Sequence, residues 1–510
     1  MKKYIILALF AIVLTVLLSC KKYLDKPPYG VLTEENFYKN PNQLLQGLTD
    51  VYNYLGSEDF ETPLFVLGNI VTDDSEKGGG DINDFAAVYE LSHFRAVASN
   101  SVCLQLWSIC YKGIFNANII IEKADKVEDM NPELVKRVRS EAKFLRGLYY
   151  FNLATAFGGV PLILNTLSPN EANAQRATFD ETWDQIEKDF GEAAIGLPIK
   201  SEYLAEDLGR ATRGAANAML AKAQLMRQKY SEAESSLAKV VTSNQYSLID
   251  DFGKVFTTAY ENGAESVFEI QHKNTRSSDG SEGTGLNRYC WSRKNGGWGF
   301  DCPTKDLRDA FEPGDPRLIY TYTFTGDIFD PGDLTDNTES PTGYQNRKVY
   351  LSTSERADPI NDQGYNIRYL RYADVLLLYA EVLNENGKSS DALTYLNMVR
   401  DRARNTNPTD PRRAYQTINI TVNLPKVTTT NKDELRDIIW HERRVELALE
   451  YNRKYDLVRQ KRYGEVMRTY AINSGTDKGS LFNDSYSYLV PIPAEEIDRS
   501  KNSINQNPGY

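Results

Sequence analysis

The chain has 510 residues, 41% hydrophobic and 25% charged, a balance that supports a large buried core and argues against disorder. Its formal charge of -11 and pI near 5.1 argue against nucleic acid or other polyanionic partners, since attraction to phosphate needs a basic face and no basic run is present. Tyrosine outnumbers phenylalanine, 32 to 20, so some phenol rings are expected at the surface as apolar plates with a polar rim.

Two lysines precede an apolar run from Ile5 to Leu18. That run is shorter than the roughly 20 residues of a bilayer span and suits the h-region of a secretory signal, so residues 1–19 are expected to be removed. It ends Leu17-Leu18-Ser19-Cys20, which resembles a bacterial lipobox and marks Cys20 as the lipidated residue. No other apolar stretch approaches the length of a span, so the expected attachment is an anchor. Lys21 onward is a Pro-interrupted tether that turns helical after Thr33, the expected N-cap.

Asn69 to Ala98 reads as a loop-rich excursion carrying Asp73, Asp74 and Gly78-Gly79-Gly80-Asp81. A helix follows from about Ser101, with Trp107, Tyr111, Ile114, Asn118 and Ile121 at core spacing. The next helix, Leu134 to Phe157, is closed by Gly158-Gly159 and Pro161. Arg213 to Val241 and Arg368 to Arg404 then each read as a helical hairpin. In the second, Ala373, Leu376, Leu377, Ala380 and Leu383 share one face, Asn386-Gly387 ends the helix, and Ser389 or Ser390 is the expected cap of its partner. Ala221 and Ala233 repeat the spacing of Ala380 and Ala392, and Leu237 falls where Leu396 falls, which is the close-packing logic of a tetratricopeptide repeat. The predicted fold class is therefore all-α: tetratricopeptide-like hairpins forming a scaffold, with long irregular loops and little β structure.

Between the hairpins, His272 to Pro303 breaks the helical rhythm. It is rich in Gly and Ser yet holds Tyr289, Trp291, Trp298 and Phe300, and a long loop with aromatics is usually functional. Asp327 to Pro341 is acidic but does not fit a calcium loop, because Phe329 sits where the second ligand belongs. Asp433 to Arg462 reads as one densely charged, salt-bridged helix. The chain ends in an extended Pro-rich passage and an Asn-Pro-Gly turn.

These blocks carry a resemblance. Cys20 followed by Tyr23-Leu24-Asp25, a proline pair, Thr33-Glu34, Phe37 and Val51-Tyr52-Asn53 is similar to the amino terminus of the SusD/RagB family of outer-membrane nutrient-binding lipoproteins. The helix of Arg139 to Ile163 fits the same pattern, and RYADVLLLYAE, HERRVELALEYNRKYDL and PIPAEEI with NQNPGY resemble its carboxyl-terminal half. The resemblance implies a single domain over residues 20–510, with halves at 20–250 and 251–510. It also implies capture of an oligosaccharide, in some members a peptide, and a SusC-like TonB-dependent transporter as partner, with the protein lipid-anchored on the outer membrane and facing outward.

Two other classes stay open, a scaffold that binds only protein and a glycoside hydrolase. The chain has three histidines, His93, His272 and His441, and His441-Glu442 opens like a zincin motif, but Val445 stands where the second ligand belongs. There is no Gly-x-Ser-x-Gly elbow, P-loop or dinucleotide fingerprint, so no catalytic residue, metal or cofactor is assigned. Trp291 and Trp298 are expected to form a stacking platform with Tyr289 beside them, Trp298 being the more structural of the two tryptophans. Asp73 and Asp74 are the expected polar contacts. Cys103 and Cys110 lie about 10.5 Å apart along one helix, beyond the roughly 7 Å reach of a disulfide, whereas Cys290 and Cys302 are a candidate pair.

Overall fold

The computed structural model describes residues 1, 3, 37–127, 130–166, 175–274, 282–358, 362–410, 420–501 and 503–510. The signal segment, Cys20 and Thr33 lie outside the described residues. The fold is all-α, about 53% helical. Helices α1 (Pro41–Asn53), α2 (Glu58–Phe65), α3 (Ser101–Lys123), α4 (Pro132–Phe157), α5 (Phe179–Gly196), α6 (Arg213–Met226) and α7 (Tyr230–Val241) precede a strand-bearing segment. Helices α8 (Tyr372–Glu385), α9 (Ser389–Asn405), α10 (Lys432–Glu446), α11 (Arg453–Arg459) and α12 (Tyr463–Ser474) follow it, with short helical turns between. Among the described residues six strands form three antiparallel ribbons: β1 (Ser75–Gly78) with β3 (Phe300–Pro303), β2 (Ser266–Ile270) with β6 (Ile367–Arg371), and β4 (Tyr322–Phe324) with β5 (Tyr344–Asn346).

The helix starts are set by side-chain caps that satisfy the free N–H groups of the first turn, each worth about 1 kcal/mol. Asn100 accepts from Val102 and Cys103, Asn131 from Glu133, Thr212 from Ala215, and Thr178 with Glu181 forms a reciprocal capping box. Helix α9 departs from expectation. Lys388 holds the N-cap position without a side-chain cap, and the Ser389 hydroxyl turns back to donate to Asn384 Oδ1 at 2.7 Å. Gly387, at φ +77°, supplies the left-handed stop after α8.

From α3 to α8 each helix packs on the next, so the hairpin α6/α7 lies directly on α8/α9 although residues 242–371 intervene in sequence. Ala221, Ala233, Ala380, Ala392, Leu237 and Leu396 are all fully buried at these crossings. The α3–α4 crossing is tighter still: a Cβ on Gly113 would stand 2.3 Å from the Tyr149 ring. One apolar cluster runs through the stack from Leu44 to Ile504 and includes Trp107.

The charged stretch 433–462 is not one helix. It breaks after Glu446, where Leu449 and Tyr451 adopt φ of +61° and +66° and turn the chain before α11. From Glu442 to Arg459 most of its charges are buried, where ions need partners from other elements, while Asp433, Glu434 and Asp437 stay exposed. Glu446 accepts from Arg317 (2.9 Å), Arg371 (3.1 Å) and Arg402, and Arg443 bridges Asp374 (2.8 Å) and Asp456 (3.0 Å). Burial alone would raise the Glu446 carboxyl; the arginines outweigh it and hold the group at about 2.

Candidate functional site

The aromatic loop between β2 and β3 folds onto α2. Trp291 N–H donates to Asn287 O, then Trp298 N–H reaches back to Arg288 O (2.9 Å) and Gly299 N–H to Trp291 O (2.8 Å), so the excursion is closed by backbone bonds. The Trp298 indole is half-buried. Tyr289 meets it edge-to-face with centroids 4.4 Å apart, and the Arg288 guanidinium lies 4.8 Å from its ring centre. Tyr289 is itself wedged between Phe65 and Phe300, and its hydroxyl donates to Glu58 on α2. Burial, with the Glu58 carboxylate beside it, pushes the Tyr289 phenol above its usual range, so it stays a neutral donor. Across the ledge, Arg293 pairs with Asp84 at 3.1 Å, and Asp84 also takes the Gly80 N–H at 2.6 Å. Lys77 donates to the carbonyls of Asp81 (2.9 Å) and Asp84 (2.6 Å), bracing the glycine-rich turn.

Trp291 sits elsewhere and is 0% exposed, under the Arg356 guanidinium at 4.0 Å and beside Tyr350. A fully covered indole offers no stacking face. The burial of the two tryptophans is thus the reverse of the sequence reading: Trp291 anchors the loop and Trp298 reaches solvent. The Gly-Gly-Trp-Gly setting of Trp298 carries no burial signal, and the residues that cover Trp291 come from positions 350–356.

Asp73 and Asp74 are also buried, at 2% and 1% exposure. Arg453 grips Asp73 through two bonds of 2.9 and 2.7 Å, and Arg444 reaches Asp73 (2.8 Å), Asp74 (2.7 Å) and Asp306 (2.6 Å). Burial alone would raise the Asp73 carboxyl, but the two arginines hold it below the usual carboxylate range. Both aspartates fasten the segment before β1 to α10 and α11, and both carboxylate oxygens of Asp73 are taken by the two arginines. Cys290 and Cys302 are free, buried thiols, as are Cys103 and Cys110. Cys302 faces Gly299 O and the Gln345 amide, Cys290 faces Asp301, and burial pushes the Cys302 thiol up to about 12.

A second concavity, about 240 Å³, is bordered by Leu55 and Gly56, just before α2. It is lined by Tyr52, Arg210, Gln271 and His272, and sequence reasoning gave it no role. Glu61, one turn from Glu58, lies 2.9 Å from His272 Nε2 and accepts from the Thr284 hydroxyl at 2.7 Å. Arg210 lies over the Tyr52 ring at 5.6 Å, and Gln271 exchanges amide bonds with Asn262. Nothing next to His272 in sequence marks it, since its partner is two hundred residues away. Helix α2 therefore joins an aromatic ledge to a polar cleft, a pairing of one apolar face with several fixed hydrogen-bonding groups. Among the described residues no group of three or more His, Cys, Asp or Glu is disposed to hold a metal, and no helix is long and apolar enough to cross a membrane.

Residues 264–510 match the model of the SusD family, and residues 22–225 match a second family described as starch-binding and associating with the outer membrane. SusD-like protein P2 of Formosa agariphila is 27% identical over 100% of both chains. A laminarin-binding SusD-like protein of known structure superposes with a TM-score of 0.77 at 27% identity, over 93% of this chain and 100% of the other. Surface glycan-binding protein A from Bacteroides fluxus superposes with the same score at 26% identity, over 92% and 100%. With the helical stack and both halves matched, the chain belongs to the SusD/RagB family.

Proposed function

We propose that this protein is a cell-surface lipoprotein, anchored through Cys20, that captures an oligosaccharide and delivers it to a SusC-like TonB-dependent outer-membrane transporter. The observation that carries the reading is Trp298: a half-buried indole held by Tyr289 and Arg288, with a separate polar cleft tied to the same helix α2 through Glu61 and His272. The C–H face of a pyranose ring stacks on such an indole, while Arg293, Asp84, Gln271 and Arg210 offer hydrogen bonds to hydroxyls. Family membership and the laminarin-binding relative support the sugar class. Capture of this kind uses no perturbed acid or nucleophile.

A glycan and peptide array probed with the protein freed of residues 1–20 tests this. Oligosaccharide binding without product release is expected, and Trp298→Ala should weaken it by roughly 1–3 kcal/mol, about 5- to 150-fold. Binding only to peptides, or release of shortened sugars, refutes it.

A further inference from the structure

Lys454, in the first turn of α11, is 3% exposed, yet its amine has neither a hydrogen bond nor an ion pair among the described residues. The other buried lysines are all tied down. Lys77 donates to two carbonyls, Lys222 to Asp374 (3.0 Å) and Asn452 (2.6 Å), Lys348 to Glu450 (2.6 Å), and Lys478 to Ser75 O. Lys454 instead lines a cavity of about 70 Å³ between α2, α4 and α11, whose walls include Phe60, Leu64, Leu67, Leu106 and Phe151. Glu450 and Lys222 also border this space, but the Glu450 carboxylate is taken by Arg371 and Lys348, and Lys222 by Asp374. One uncompensated positive charge is left in an apolar chamber.

The chamber has a second donor. Tyr369 lies on its wall; its hydroxyl accepts from Asn152 Nδ2 at 3.1 Å and reaches the Asn152 amide oxygen only at 3.4 Å, which leaves its proton available to a better acceptor. A volume of this size holds a few water-sized bodies, enough for a small ion with a water and too small for a sugar ring. We propose that the Lys454 chamber binds a small monoanion, a halide or a short carboxylate such as formate, between the Lys454 ammonium and the Tyr369 hydroxyl. Burial lowers the Lys454 amine to about 8, which still leaves it mostly protonated at neutral pH and in need of a counter-charge. The thiol of Cys103, the other ionisable group that acts on it, is pushed up to about 12 and remains neutral.

The test is the melting temperature of the detergent-solubilised full chain as sodium bromide replaces sodium gluconate, too large for the chamber, at constant ionic strength and pH 7. A saturable rise of roughly 1–3 °C is expected for the natural protein and none for Lys454→Met. A flat response in the natural protein, or an equal rise in the variant, overturns the site. Should Lys454→Met not fold, anomalous diffraction from bromide-soaked crystals of the natural protein decides: a bromide peak at the Lys454 amine supports the proposal, and bromide found only at the surface overturns it.

Discussion

Replacing Glu446 by glutamine removes the charge on which three buried arginines converge while keeping the side chain's volume. Glu446 is 0% exposed, and Arg317, Arg371 and Arg402 all donate to it. The gap between an ordinary carboxyl at 4.5 and one held at about 2, at about 1.4 kcal/mol per pH unit, corresponds to about 3 kcal/mol at pH 7. Breaking a buried pair from one side costs a similar 3–5 kcal/mol or so. An unfolding entropy of roughly 2.1 cal/mol/K per residue over 510 residues is about 1.1 kcal/mol/K, so the melting temperature should fall by about 3–4 °C. The pH dependence has a definite sign. A carboxyl depressed in the folded state contributes fully above about pH 4.5 and loses that contribution as pH falls toward 2, so the two proteins should converge between pH 5 and pH 2. Circular-dichroism melts of both proteins across this range provide the check. A drop below 1 °C at pH 7, or a gap as wide at pH 3 as at pH 7, refutes the reasoning.

Trp291→Ala should cost about 3–5 kcal/mol of folding stability, measured by denaturant titration, whereas Trp298→Ala should leave stability nearly unchanged; the opposite ranking would reverse the roles assigned to the two indoles. Mapping the unreduced protein by mass spectrometry should find no peptide linking Cys290 to Cys302, and a linked peptide would contradict the free thiols. Cys20→Ala should release the protein from outer-membrane fractions in cells lacking the transporter, and full retention there would remove the anchor. Gly113→Ala should destabilise by roughly 1–3 kcal/mol because the Tyr149 ring cannot yield 1 Å without moving α4, and a neutral melt would show that the crossing is looser than drawn.

What the sequence discloses here is local. Spacing alone located the faces of α6 to α9, and the paired alanines identified the crossing of two hairpins far apart in the chain. The break at Leu449 and Tyr451 was not visible, because neither residue favours positive φ and tertiary contacts impose it. The misreading of Asp73 and Asp74 has the same origin: an acidic pair beside glycines looks solvated until Arg444 and Arg453, from the far end of the chain, close on them. For the ledge, composition named Tyr289 and Trp298 but left the depth of Trp291 open, since the Tyr350 and Arg356 that cover it follow no period. His272 carried no signal at all.

The β2–β6 ribbon does more than tie two strands together. It brings Ile270 and Ile367 side by side, so the whole passage bearing the ledge leaves the helical stack and returns to it at one gate. To the stack, that passage is a closed loop whose ends are already fixed. The entropy of closing such a loop grows only with the logarithm of its length, about 0.6 kcal/mol for each doubling. The exposed turns between the gate posts, such as that at Pro331-Gly332, can therefore be lengthened at small cost to the helices, whereas Trp291, Asp306 and Arg317, which are buried or paired with α10, are bound to the frame.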